Sequence, residues 1–268
     1  MENETLKQAL SDLPIGGLRA YDSIGSTNDE ALAWADAGCA DFSLVIADEQ
    51  TKGRGRFDRR WVTQKGTSLA FSLIIHPTQL EIEHLPLFAP LCGLAIWQTL
   101  NDRYHVKSQI KWPNDVLIER QKCAGILVEA AWKGSELKSF VLGIGINIRR
   151  GSIPPSTDQL FPATYIESAT DHPVDRFEFL ASVLQSIIFW RKFLGRQEFI
   201  HEWQSHLAFM GEQVKIVQSP KPSIIGIIKG IDPMGRLIIT QAGAIETAVE
   251  VGDVHLRLAE QPPASKES

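Results

Sequence analysis

The chain has 268 residues, 44% of them hydrophobic and 22% charged, with a formal net charge of -5 at pH 7. This length suits one large domain, or a large domain with a small one, and the acidic balance argues against a dedicated nucleic-acid-binding protein. Three widely spaced cysteines give neither a disulfide framework nor a CxxC metal pair, and no signal peptide or membrane-length apolar stretch is visible. We therefore expect a cytoplasmic protein.

Helical and strand-like segments alternate over the first three quarters of the chain. A helix is predicted at 27–37, where Thr27 and Glu30 could form a capping box and Gly38 supplies a stop signal. A buried helix is predicted from 87 to 100, ending near Asn101, and residues 177–206 look helical. Strands are predicted at 43–48, 67–76, 109–112, 116–119, 126–130 and 140–148.

The sequence pattern changes after His206 from helical segments to short apolar runs. Short strands are predicted at 214–217, 224–228, 237–239 and 254–258, separated by turns, which is typical of a small appended barrel. We therefore divide the chain into domains at 1–206 and 207–268, with a disordered tail from Glu260.

Neighbouring strands joined by a short turn must be antiparallel, as around Arg120. The first domain is therefore predicted to be α+β, with a mixed, largely antiparallel sheet and helices mainly on one face.

The segment from Gly53 to Arg60 is rich in glycine and arginine. Glycine lets a backbone approach a ligand closely, and arginine offers a planar fork of donors to carboxylate and phosphate oxygens. The segment matches neither the phosphate loop nor the dinucleotide fingerprint. A solvated basic loop is the alternative. Because long loops without structure are uncommon unless they are functional or disordered, we predict a binding loop that orders over an anion.

Two lysine-bearing segments follow. Residues 111–115, Lys-Trp-Pro-Asn-Asp, suit a turn, but a turn needs neither lysine nor tryptophan. Lys111 could present a charge to a phosphate, and Asn114 or Asp115 could contact a metal or a ribose. Lys122 is either a solvated boundary residue or a ligand contact, because Gly125 beyond it marks a close approach to the strand.

Two further polar segments have both structural and functional interpretations. Ser26 to Asn28 suits a helix N-terminus, which also presents free N–H groups to a polar ligand. Asn147 ends a glycine-bearing apolar strand, where it could be a core or turn residue or a ligand contact.

In their order along the chain, these motifs resemble those of the biotin protein ligases. The series consists of Ser-Thr-Asn from Ser26, Gln-x-x-Gly-Arg-Gly-Arg from Gln50, Lys-Trp-Pro-Asn-Asp from Lys111, Lys-x-Ala-Gly-Ile-Leu-x-Glu from Lys122 and Gly-x-Gly-x-Asn ending at Asn147. The resemblance implies a class II synthetase-like catalytic domain and an SH3-like C-terminal barrel. It covers most of the chain.

The resemblance also implies a two-step reaction: biotin and MgATP form biotinyl-5′-AMP, and the acyl group passes to a lysine of a biotin carboxyl carrier protein. The implied catalytic residues are Arg56, Lys111 and Lys122. The implied biotin contacts are Ser26, Thr27, Asn28, Gln50, Gly53, Arg54, Gly55, Arg56 and Lys122. The implied ATP contacts are Arg54, Arg56, Arg59, Lys111, Trp112, Asn114 and Asn147. Asp115 is the candidate Mg²⁺ ligand.

The chain departs from the family pattern in two respects. Asp58 stands where many members have glycine. No N-terminal winged helix-turn-helix is visible, so we expect the monofunctional form, without DNA as a partner and without a membrane association. The resemblance also allows a homodimer.

Other functions are compatible with parts of the sequence. A lipoate or octanoate ligase shares the fold family but, by resemblance, lacks the Gly-Arg-Gly-Arg loop. A non-enzymatic nucleic-acid-binding protein could use the arginine loop and the barrel, against the acidic balance. A pure interaction module built on the C-terminal barrel is a third possibility.

Overall fold

A computed structural model describes residues 3–56, 59–134, 136–153, 162–218, 222–250 and 254–258. The helices are α1 (Asn3–Ala9), α2 (Thr27–Asp36), α3 (Gln79–Glu83), α4 (Phe88–Tyr104), α5 (Arg176–Arg191) and α6 (Gln197–Ser205). The strands are β1 (Leu18–Tyr21), β2 (Ser43–Ala47), β3 (Ser68–Ile75), β4 (Ser108–Lys111), β5 (Asp115–Ile118), β6 (Gln121–Lys133), β7 (Glu136–Asn147), β8 (Gln213–Gln218), β9 (Ile224–Ile231), β10 (Leu237–Thr240), β11 (Glu246–Val249) and β12 (Val254–Leu258).

The larger sheet has seven strands in the order β1-β2-β3-β7-β6-β5-β4. The pair β1–β2 is parallel, and every other neighbouring pair is antiparallel. The turn between β5 and β6 places Glu119 and Arg120 at positive φ, which gives the tight reversal expected there. The predicted α+β fold with a mixed, largely antiparallel sheet is confirmed.

The two faces of this sheet are covered unequally. Helices α4 and α5 pack on one face over a large apolar core that includes Leu44, Phe71 and Leu142. Helix α2 lies on the opposite face over a small cluster that includes Val45 and Val141. The prediction of helices mainly on one face is therefore confirmed. Because α2 has only 10 residues, it leaves part of this face of the sheet uncovered.

The second sheet is antiparallel throughout, in the order β11-β10-β9-β8-β12. Helix α6 and the segment after it contact both sheets. The Ala208 N–H, between α6 and β8, donates to the Ile110 carbonyl of β4 over 2.9 Å, and the Gln204 side chain of α6 accepts from the Ile231 N–H of β9 over 3.0 Å. A small β unit after α6 is confirmed. Its SH3-like closure and a boundary between residues 206 and 207 stay predictions.

The predicted capping box of α2 is wrong. Ser26 is the N-cap, and its side chain makes no capping hydrogen bond. Thr27 instead bonds to Gln50, and Glu30 bonds to Arg19 and Tyr21. Long-range polar contacts have displaced the local motif, so the start of this helix is held by its tertiary neighbours.

Helix lengths also differ from the prediction. Helix α4 continues to Tyr104, beyond the expected end, and stops where His105 adopts positive φ. Residues 177–206 form two helices, because the chain turns between α5 and α6 at Gly195, whose φ is +74°.

The short elements α1, α3, β1 and β11 were not predicted. Asp58 and the tail from Glu260 lie outside the described residues.

None of the helices in the described ranges is both long and apolar enough to cross a bilayer.

Candidate active site

A cleft opens beside α2 on the less covered face of the larger sheet. Its empty volume is about 490 Å³, including space continuous with solvent. The residues from Gly53 to Arg60 are called the glycine–arginine loop below. The lining residues come mainly from α2, this loop and the centre of the sheet: Ser26, Thr27, Asn28, Gln50, Arg54, Gly55, Arg56, Trp61, Asn114, Lys122, Gly125, Ile126, Leu127, Gly143, Ile144 and Gly145. Nine of the predicted site residues therefore meet around one cleft.

Glycines on β6 and β7 let side chains lie directly against the sheet. A Cβ atom on Gly143 would be 2.2 Å from Asn28 Oδ1, and one on Gly145 would be 2.3 Å from Trp61 Cε2. Since real Cβ contacts are essentially never shorter than 3.0 Å, any side chain at either position would displace its neighbour. The paired Gly143 and Gly145 thus shape the cleft floor.

One end of the cleft is a buried network of neutral polar groups. Thr27 donates to Gln50 Oε1 through both its backbone N–H, over 2.8 Å, and its hydroxyl, over 3.0 Å. The Ser72 hydroxyl lies 2.8 Å from Thr27 Oγ1 and 2.6 Å from Asn28 Oδ1. Such a network holds hydroxyl and amide groups in fixed directions. It suits a neutral ligand that has donors and acceptors of its own.

The glycine–arginine loop is anchored across the cleft by Arg54. Its guanidinium makes two hydrogen bonds to the Asp29 carboxylate, over 2.9 and 2.6 Å, and contacts both oxygens of Glu129 at 3.3 Å. The bonding to Arg54 lowers the pKa of Asp29. The Gly55 N–H also donates to the Arg59 carbonyl over 2.7 Å. The described part of this loop therefore folds back on itself and is tied to α2 and β6.

The other end of the cleft is cationic. Arg56 donates to Asn114 Oδ1 over 3.1 Å, and the Asn114 amide donates in turn to the Ile126 carbonyl over 2.8 Å. Lys122 lines the same region, with its ammonium 5.9 Å from the centre of the Trp61 ring. An arginine and a lysine in one partly enclosed cleft are suited to bind carboxylate and phosphate oxygens.

Behind this end, Asp115 lies between two lysines. Its Oδ1 is 2.6 Å from Lys122 Nζ, and its Oδ2 is 3.2 Å from Lys111 Nζ. Burial acts to raise the pKa of Asp115, but attraction by Lys122 and Lys111 outweighs it and lowers the pKa to about 2. Burial lowers the pKa of Lys111, and Asp115 opposes that shift. The ionised carboxylate therefore fixes both ammonium groups.

Six predicted site residues lie outside the cleft lining: Gly53, Arg59, Lys111, Trp112, Asp115 and Asn147. Trp112 is buried, and its indole donates to the carbonyl of Gly235, in the turn between β9 and β10 of the second sheet. Asn147 is buried and donates to the Thr164 carbonyl over 3.0 Å. These contacts give Trp112 and Asn147 structural roles, and their assignment to ATP stays a prediction.

Among the described residues, Asp115, the predicted Mg²⁺ ligand, is surrounded by lysines and not by further metal-binding side chains. Both oxygens of Asp115 face ammonium groups. Across the described ranges, no cluster of three histidine, cysteine, aspartate or glutamate residues could hold a metal ion. The residues present therefore do not fit a metal held by the protein at this point.

Four polar or aromatic residues of the site were not among those predicted: Asp29, Trp61, Ser72 and Glu129. Trp61 covers Gly145, and its buried indole N–H has no partner among the described residues. Glu129 ends the Lys-x-Ala-Gly-Ile-Leu-x-Glu motif, so its place in that motif was the available signal. Ser72 and Asp29 gave none, because only the fold brings them to the cleft.

Comparisons with known proteins agree with this geometry. The family model of the Biotin/lipoate A/B protein ligase family matches residues 22–147. The chain is 32% identical to a biotin--[acetyl-CoA-carboxylase] ligase of Paracoccus denitrificans, over 80% of this chain and 90% of the relative. It is 31% identical to the bifunctional ligase/repressor BirA of Bacillus spizizenii, over 83% of this chain and 69% of that protein.

Among solved structures, the chain resembles a biotin protein ligase of Aquifex aeolicus in complex with biotin and ATP. The TM-score is 0.79 at 28% identity, and the match covers 91% of this chain and 99% of the other. Because the family motifs meet in one cleft and these two relatives exceed 30% identity over more than two thirds of their length, the chain belongs to the biotin protein ligases of the biotin/lipoate A/B protein ligase family.

Proposed function

We propose that the protein is an ATP-dependent biotin ligase, which attaches biotin to a lysine of a biotin carboxyl carrier domain through biotinyl-5′-AMP. One observation carries the proposal: a neutral polar network at Thr27 and Asn28 shares a cleft with the cations Arg56 and Lys122. Biotin has the same division, with a neutral ureido ring at one end and a carboxylate at the other. The similarity to a solved ligase with biotin and ATP supports this reading.

In the first step, an oxygen of the biotin carboxylate attacks the α-phosphorus of ATP, and pyrophosphate leaves. Two anionic groups must approach each other, so fixed positive charge lowers the barrier. We assign this role to Arg56 and Lys122, with Lys111 contributing from behind through the shared carboxylate of Asp115. Asn114 positions the Arg56 guanidinium.

In the second step, the neutral amine of the acceptor lysine attacks the acyl carbon of the mixed anhydride. An amide bond forms, AMP leaves with the former bonding electron pair, and the amine loses its proton. The glycine–arginine loop, tied down by Arg54, would cover the anhydride and keep out the water that would hydrolyse it.

Mg²⁺ belongs in this scheme as part of the MgATP substrate. Magnesium commonly retains several waters and binds to substrate phosphates with few protein ligands. We therefore assign no side chain of the described residues as its ligand.

The acceptor is proposed from the names of relatives that act on acetyl-CoA carboxylase. A cytoplasmic location and a homodimer stay expectations. A lipoate or octanoate ligase and a nucleic-acid-binding protein are less favoured, because the full-length relatives are biotin ligases.

The test is labelling of an apo carrier domain with biotin and ATP, detected with streptavidin. We expect ATP-dependent label with the wild-type protein, and its loss in Arg56→Ala. Arg103→Ala, an exposed change at the end of α4, is the matched control and should keep the label. No label on a competent acceptor, or label independent of ATP, would contradict the proposal.

A further inference from the structure

Glu129 joins two parts of the cleft that are distant in sequence. Its carboxylate contacts Arg54 of the loop with both oxygens at 3.3 Å and accepts a hydrogen bond from Asn28 Nδ2 over 2.5 Å. The side chain is 28% exposed, which is low for a glutamate. Glu129 itself is not among the lining residues. It therefore touches the residues that form the cleft and not the cleft itself.

The contact to Asn28 fixes which way that amide points. A carboxylate can only accept hydrogen bonds, so Glu129 requires the amino group of Asn28 on its side. The amide oxygen must then face Ser72, whose hydroxyl lies 2.6 Å away. Asn28 is buried and its amide lies directly against Gly143, so a 180° rotation, which exchanges the oxygen and the nitrogen within the same space, is the main alternative to the observed orientation. Without Glu129, an amide rotated by 180° would exchange a donor for an acceptor.

The contact to Arg54 reaches the loop. Asp29 and Glu129 together place two carboxylates on one guanidinium, so this group of three carries a net charge of about -1 at neutral pH. Such a group does not attract a substrate anion. We therefore read Arg54 as an anchor of the loop, in contrast to Arg56, which bonds to neutral Asn114.

We propose that Glu129 is a positioning residue for biotin recognition, acting through the Asn28 amide and the Arg54 anchor. The inference rests on the proposed function, since it assigns the ureido ring to the polar end of the cleft. A ureido group offers N–H donors and a carbonyl acceptor in one plane, and discriminating such a group requires fixed partners of known polarity.

The experiment measures KM for biotin and for ATP in the adenylation step, with biotin Kd by calorimetry. Glu129→Gln retains an acceptor for Asn28 but weakens the Arg54 contact, whereas Glu129→Leu removes both. We expect biotin Kd and KM to rise about tenfold in Glu129→Gln and further in Glu129→Leu, in line with lost charge-assisted hydrogen bonds. KM for ATP should change by about twofold or less, since Arg56 and Lys122 are untouched.

A double-mutant cycle tests whether Glu129 acts through Asn28. In an Asn28→Ala background, Glu129→Leu should raise biotin KM by less than it does in the wild type. Glu136→Gln, an exposed change on the neighbouring strand, is the matched control and should leave all values unchanged.

Three results would overturn the inference: unchanged biotin KM in both Glu129 variants, an equal rise in KM for ATP, or an undiminished effect in the Asn28→Ala background. A wild-type protein that binds biotin but shows one of these results would contradict only the role of Glu129. A wild-type protein that does not bind biotin would overturn the proposed function and this inference together.

Discussion

The indole Nε1 of Trp112 donates a 2.9 Å hydrogen bond to the carbonyl oxygen of Gly235, joining the turn after β4 to the turn between β9 and β10 of the second sheet. Gly235 adopts a φ of +79°, and a Cβ there would be 2.5 Å from a methyl group of Leu87. Trp112 stands between Lys111 and Asn114, both assigned to the cationic end of the cleft. The second sheet therefore helps to hold in place the segment that carries Lys111 and Asn114.

Trp112→Phe should lower stability and adenylation together. The change keeps a large ring but removes the donor, leaving the Gly235 carbonyl buried without it, at a cost of about 1–2 kcal/mol in the free energy of unfolding. Urea unfolding measures the stability, and pyrophosphate exchange under folding conditions measures adenylation. Trp190→Phe is the control, because it removes a comparable indole bond, which joins α5 to Gln98 on α4 and does not involve the turn after β4. Equal exchange rates in the two variants would show that the Trp112–Gly235 bond does not support the cationic end of the cleft.

Lys122→Met should reduce adenylation by about 100-fold, the typical loss when one preorganised charge at a transition state is removed. Methionine keeps the unbranched stem but loses the ammonium. Single-turnover formation of biotinyl-AMP is the measurement. Lys138→Met changes an exposed lysine on β7 and should leave the rate unchanged. If Lys122→Met adenylates biotin at the rate of Lys138→Met, the assigned role of Lys122 is wrong.

Asp115 should make the protein sensitive to acid. Its pKa is lowered to about 2 in the folded protein and is near 3.9 in an unfolded chain, so the unfolded state binds the proton more readily. The stabilisation is complete above about pH 4 and is lost as pH falls towards about 2, amounting to about 2 kcal/mol. Unfolding free energies across this range should fall in the wild type and depend less on pH in Asp115→Asn. An unchanged slope in the variant would contradict the assignment.

Gly143→Ala should weaken biotin binding. Its methyl group would lie 2.2 Å from Asn28 Oδ1, so the amide must move out of line with Ser72. Since a displacement of about 1 Å in a site can cost up to about 100-fold, we expect biotin Kd to rise between about tenfold and 100-fold. Gly25→Ala is the control, because a Cβ there meets nothing within 4 Å. Equal Kd values for the two variants would show that Asn28 does not bind biotin.

The sequence predicted those parts of the fold that depend on local pattern. The apolar alternation of β3 and the turn at Arg120 are local signals, and both elements appear where they were expected. The capping role of Thr27 failed because its hydroxyl found a partner in Gln50, which is close only in the folded chain. Strand β1 was missed because its few residues owe their pairing to β2.

The residues of the candidate site also divide into those with a local sequence signal and those placed by the fold. Arg56 and Lys122 stand in motifs with a chemical signature, so they could be proposed before the fold was known. Ser72 and Asp29 carry no signature, and they reach the cleft only through the pairing of β3 with β7 and the placement of α2. Trp112 stands in a motif that suggested a ligand contact, which stays a prediction, and the fold adds a bond from its indole to the turn between β9 and β10 that no local pattern indicated.

The most direct test of the central claim is biotin-dependent ATP–pyrophosphate exchange by the purified wild-type protein, with lipoate and octanoate in parallel. We predict exchange with biotin, little with the other two acids, and loss of exchange in Arg56→Ala. Exchange that requires lipoate or octanoate, or no exchange with any of the three acids, would contradict the claim.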